Sequence, residues 1–153
     1  MKQAHFFLVA ATLAMACARP GHAQSISLED DAAWKPASAA VTQAVKKYDP
    51  AGLTDCLPLQ MTAALGATSG YRLVTTNSKC WGSAAGPVWL VSTTVTPKVV
   101  LSDGGFNIDI SAAKEPEPEV QIQYGNAGSC GIRVWRYNAS KAKYTLKKTI
   151  RCL

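Results

Sequence analysis

The sequence predicts an α+β fold that is mainly β: an antiparallel meander of six or seven strands with one N-terminal helix packed on it. Three observations carry this. After Gly70 the apolar residues alternate with polar ones, as Phe106, Ile108 and Ile110 do with Asn107, Asp109 and Ser111. The separators Asn77-Ser78-Lys79, Gly82 to Gly86, Asp103-Gly104-Gly105 and Gly125 to Gly128 are too short for crossover helices, so successive strands should run antiparallel. Before Gly70 one stretch, Val41, Ala44, Val45 and Tyr48, forms an apolar stripe at helical spacing.

In chain order, residues 1–23 read as a secretory signal peptide: Lys2, an apolar run from Phe6 to about Ala18, and small residues around Ala23. The run is too short for a membrane span, and no later stretch is long enough. Ala14-Met15-Ala16-Cys17 offers a second route, a lipid anchor on Cys17, although Leu13 falls one place early for that signal. Either route places the chain in the periplasm or outside the cell. Residues 24–34 are polar and acidic and read as a flexible lead-in, leaving 35–153 as one disulfide-stabilised β-rich domain. Pro36 suits the first turn of the helix, Lys46 and Lys47 its last, and Asp49-Pro50 stops it. Leu59 to Leu65 reads as one or two helical turns ending at Gly66.

Strands are expected at Tyr71 to Thr76, Val88 to Thr96, Val99 to Leu101, Phe106 to Ser111 and Val120 to Tyr124. A terminal hairpin, Ile132 to Tyr137 with Tyr144 to Ile150, completes the set. Placing Cys130 opposite Cys152 sets Ile132 against Ile150, Val134 against Lys148 and Arg136 against Leu146, which gathers the aliphatic residues on the even-numbered face. Cys56, Cys80, Cys130 and Cys152 should form two bridges in an oxidising compartment. Of three pairings, Cys56 with Cys80 and Cys130 with Cys152 is preferred, the second on the register.

The odd-numbered face of that hairpin is the chain's one concentrated chemical feature. Arg133, Trp135 and Tyr137 share it with Lys147 and Arg151, with Lys141 and Lys143 at the tip. Seven Lys or Arg and no Asp or Glu follow Glu119. A single-sign field beside an exposed Trp suits an anionic envelope polymer or an acidic protein. The competing reading is a solvated edge guarded by lysines.

Several chemistries are argued against. Both histidines, His5 and His22, lie in the signal peptide, which removes imidazole-based nucleophile systems and metal sites from the mature chain. No cofactor-binding or nucleic-acid-binding motif is present. Asp103, Asn107 and Asp109 do not follow calcium-loop order, and Asp103, Asp109 and the Glu115 to Glu119 run, the candidates for a carboxylate hydrolase, sit in no recognisable catalytic context. Asn138-Ala139-Ser140 matches a glycosylation acceptor, which a bacterial export signal makes a coincidence.

Cys80 to Trp89, Gly104 to Ile110 and Trp135 to Cys152 resemble segments of small exported bacterial β-rich proteins of uncharacterised function. Asn107-Ile108-Asp109 and the Asn-Ala hairpin turn depart from that pattern. The chain is also similar in style to periplasmic lysozyme inhibitors, which share its size, export signal and disulfide-braced sheet. The resemblance implies a periplasmic β module and an inhibitor or immunity role as the alternative to polymer binding. A mature charge of +4, fourteen Lys and Arg against ten Asp and Glu once Lys2 and Arg19 are removed, would repel a basic lysozyme, so inhibition would rest on Glu115 to Glu119 or an acidic target.

Overall fold

A computed structural model describes residues 24–53, 56–63, 70–81, 85–111, 118–126 and 129–151. The expected signal peptide, Cys17, Cys152 and residues 112–117 lie outside the described residues. The described part holds ten strands in two antiparallel sheets and one α-helix. One sheet contains β2 (Lys35–Pro36), β3 (Pro58–Thr62), β4 (Tyr71–Thr76), β5 (Gly86–Ser92) and β6 (Lys98–Gly105) in that order. The other runs β1 (Gln24–Ser27), β7 (Asn107–Ile110), β8 (Val120–Asn126), β9 (Ser129–Asn138) and β10 (Lys143–Arg151). A single sheet of six or seven strands is thus corrected to two sheets of five. The chain passes from one to the other at Phe106, between β6 and β7, where a Gly-rich turn was expected.

The helix α1 (Ala39–Tyr48) begins three residues after Pro36, because Ser38 caps it and accepts a hydrogen bond from Val41 N at 3.4 Å. Pro36 sits in β2 instead. Val41 and Val45 pack with Leu53, Val74, Trp89, Val91 and Val99 on the outer face of the β2–β6 sheet. The opposite face of that sheet contributes Leu73, Val88, Leu90 and Leu101 to a second core shared with Ile26, Ile108, Ile110, Val120 and Ile122 of the other sheet. The layers are therefore helix, sheet, sheet. Double burial explains why β5 reads Val88-Trp89-Leu90-Val91 without polar alternation, while β7 and β8 alternate because their outer faces meet water.

Residues 24–34 do not run loose. β1 pairs with β7, Ile26 opposite Ile108, and Leu28 is fully buried. Asp31 accepts hydrogen bonds from Asn77 Nδ2 at 3.4 Å and Ser78 Oγ at 3.1 Å, tying this segment to the loop after β4. The expected helical turns at Leu59 to Leu65 are also overturned up to residue 63: β3 pairs residue for residue with β4, Pro58 opposite Thr76 and Met61 opposite Leu73. The Cys56–Cys80 disulfide spans a Cα separation of 6.3 Å at the open end of this hairpin. A loop of this length contributes about 3 kcal/mol in the chain-entropy account.

Gly105 lies where β6 closes on β8. A Cβ there would stand 2.5 Å from Ile122 Cγ2 and 2.6 Å from the Gln123 carbonyl oxygen. Backbone cannot yield as a side chain can, so Gly105→Ala is expected to destabilise the fold by about 1–3 kcal/mol in urea unfolding.

Candidate functional site

In the terminal hairpin, Ile132 faces Ile150 and Val134 faces Lys148 as the sequence suggests, but the register then shifts. Leu146 pairs with Trp135 and Thr145 with Arg136, so Lys147 is the extra residue of a β-bulge. Arg136 opposite Leu146 is thereby corrected. Cys130 is disulfide-bonded, and Cys152 lies outside the described residues.

Val134 on the even-numbered face is buried as expected, 1% exposed, but the odd-numbered face is not left free either. β9 pairs with β8 so that Trp135 sits beside Val120 and Arg133 beside Ile122, both core residues. The odd-numbered face therefore points toward the other sheet, and Trp135 and Tyr137 pack on its core. Trp135 Nε1 donates to Asp103 Oδ2 at 2.8 Å. Arg133 Nη2 reaches Asp103 Oδ1 at 3.0 Å and donates to the Gly104 carbonyl at 2.8 Å, with its guanidinium carbon 3.9 Å from the Tyr124 ring centroid. Tyr137 meets Tyr144 edge to face, centroids 5.5 Å apart. These residues form a half-buried clasp between β6 and β9, engaged within the fold where full exposure was expected. Burial pushes the Asp103 carboxyl above its ordinary value, against the opposing pull of the Gly104 N–H, Arg133 and Trp135.

Lys147 is occupied too. Its Nζ donates to Glu119 Oε1 at 2.6 Å, and Arg136 Nε lies 3.7 Å from the same oxygen. The hydrogen bond from Lys147, with the charges of Lys147, Arg136 and Lys148, holds the Glu119 carboxyl below its ordinary value despite some desolvation. A lowered folded-state pKa means that stability is present above the ordinary value of 4.5 and is lost as pH falls through the lowered one. The stability gap between the wild type and Glu119→Gln should accordingly close on acidification in denaturation curves run across that range. Glu119 is thus engaged within the fold, which weakens it as an inhibitory contact.

Asp103 lies between the sheets, whereas Asp109 pairs with Gln121 on the outer face of β7 and β8, so the two acids do not converge for carboxylate catalysis. Nor do they share a cation: Asn107 Nδ2 is turned to Gln123 Oε1 at 3.3 Å. Arg151 is exposed at the end of β10, opposite Gly131.

Lys141 and Lys143 have a different setting. Asn138 Oδ1 accepts from Lys141 N at 3.2 Å and Ser140 Oγ at 2.7 Å, fixing the hairpin tip, and Ala142 takes φ +47°. That turn carries both lysines to a groove of about 660 Å³ whose other walls are Ala44, Lys47 and Tyr48 of α1 and Thr96, Pro97, Lys98 and Val99 at the start of β6. Among the described residues four lysines from three chain segments line it, and no carboxylate does. None of the four has an ion-pair partner among the described residues, in contrast to Arg133, Arg136 and Lys147. Tyr48 is 58% exposed at the groove. Sequence reasoning assigned Lys47 to the helix dipole and passed over Lys98. Neither lies near Lys141 in the chain, so only the packing of α1 against β5 and β6 could join them.

Comparison with models of protein families, with curated proteins and with solved structures yields no match to this chain.

Proposed function

We propose that this is an exported, non-catalytic binding protein of the periplasm or envelope that holds an anionic polymer in the groove between α1, the start of β6 and the β9–β10 turn. One observation carries the reading: Arg133, Arg136 and Lys147 of the terminal hairpin are paired with Asp103 and Glu119, whereas Lys141 and Lys143, which have no ion-pair partner among the described residues, converge with Lys47 and Lys98 on one groove that Lys148 and Arg151 do not line. Like charges gathered without counter-charges repel one another, and a polyanion relieves that repulsion. The export signal and the disulfide support an oxidising compartment.

The test is fluorescence anisotropy with labelled polygalacturonate and polyphosphate. Lys98→Glu with Lys143→Glu is expected to lower affinity for whichever polymer binds by about tenfold or more at low salt, and wild-type affinity should fall steeply as salt rises. Lys147→Gln, which alters a neutralised lysine, should leave affinity within about twofold. Absence of wild-type binding to both polymers, or equal effects of the two changes, would remove the groove from consideration.

A further inference from the structure

Charge alone does not account for the groove's composition. A site built only to hold phosphate or carboxylate needs cations and amide donors. This one also presents Tyr48 at the end of α1, 58% exposed although its helix neighbours Val41 and Val45 are buried, together with the Pro97 ring on the same lining. Tyr48 is the fourth residue of a stripe whose Val41 and Val45 are buried, yet it is exposed and lines the groove with Ala44. An aromatic ring with an apolar face and a polar rim suits the face of a pyranose, whose C–H groups pack on the ring while its hydroxyls remain hydrated.

Resting on the reading of the groove as a polyanion site, we infer that its ligand is an acidic polysaccharide: a sugar ring packs on Tyr48 beside Pro97 while Lys47, Lys98, Lys141 and Lys143 engage the carboxylates of successive units. The fixed turn at Asn138 supports this assignment, because Lys141 and Lys143 are held on an ordered backbone and can match a regular charge spacing. The long lysine side chains accommodate the polymer's local variation.

The experiment compares polygalacturonate with polyphosphate, a polyanion that has no sugar face, using the oxidised protein and its Tyr48→Ala and Tyr48→Phe variants. Circular dichroism confirms that the variants fold, as the exposure of Tyr48 leads one to expect. Tyr48→Ala should weaken polygalacturonate binding by about tenfold and change polyphosphate binding by less than about twofold, and Tyr48→Phe should retain most of the affinity. Equal weakening on both polymers, or no weakening on polygalacturonate, overturns the sugar assignment while leaving the polyanion reading in place. Binding of polyphosphate alone does the same. Failure of the wild type to bind either polymer overturns both.

Discussion

Replacing Asp103 with Ala should destabilise the protein by about 3 kcal/mol, toward the low end for breaking a buried ion pair because Arg133 retains some access to water. The Asp103 side chain is 7% exposed and that of Arg133 28%. Removing the carboxylate strands the Trp135 indole N–H and leaves Arg133 with the Gly104 carbonyl and the Tyr124 ring as partners. Asp103→Asn should cost less, since an amide oxygen still accepts from Trp135. The pH dependence has a defined sign. Burial raises the folded-state pKa of Asp103 above 3.8, so its protonated form is the better tolerated one. The proton-linked part of its contribution is fully present below the unfolded value and is lost as pH rises through the raised one, while the bonds to Trp135 and Arg133 remain. Because neither Asn nor Ala titrates, the stability gap between wild type and each variant should narrow as pH rises through that window, while Asp103→Asn stays ahead of Asp103→Ala throughout. Chemical denaturation of the three proteins across that window and at pH 7 measures this, and equal stability of wild type and Asp103→Ala would show that the clasp does not hold the sheets.

Trp89→Ala should lose more, about 3–5 kcal/mol. Trp89 is 1% exposed on β5 and forms the centre of the layer between α1 and its sheet. Gly52 lies so close that a Cβ there would stand 2.7 Å from the Trp89 ring. Truncation to Ala would leave a void bounded by Val41, Val45 and Val99, and α1 would be held only by its remaining apolar contacts. Trp89→Phe should be much milder, because the indole Nε1 has no hydrogen-bond partner among the described residues and the loss is of ring volume alone. Urea unfolding followed by far-ultraviolet circular dichroism reads both. A loss below about 1 kcal/mol for the Ala variant would mean that the helix docks without this ring. Loss of α1 would also dismantle one wall of the groove, since Lys47 and Tyr48 belong to it. The Trp89→Ala protein should consequently bind polyanion more weakly even where its sheets persist.

Local pattern served well where a residue's environment is set by its neighbours in the chain. Tyr71 to Thr76 is β4 to the residue, the strands from Val120 onward fall within a few positions of their expected bounds, and Cys56 pairs with Cys80. Leu59, Gln60, Met61 and Thr62 alternate as a strand does, but a run this short ahead of Gly66 reads equally as helical turns, and only pairing with β4 decides between them. β1 was missed because four residues, QSIS, carry little signal until β7 supplies the pairing. The candidate site was harder. The charged neighbours of Trp135 make its face read as exposed, since nothing local announces that an acid some thirty residues earlier will meet Arg133 and Trp135.

By itself the sequence determined an antiparallel, disulfide-braced β fold with one covering helix and a surplus of unopposed basic charge at its end. Those properties follow from side-chain period, turn chemistry and composition, which are local or additive. Tertiary structure alone decided that Arg133 and Trp135 of the last hairpin meet Asp103, and which cations lack an ion-pair partner among the described residues. Both depend on contacts between β6 and β9 and on α1, the start of β6 and the β9–β10 turn bordering one groove, segments brought together only once the two sheets and the helix have packed.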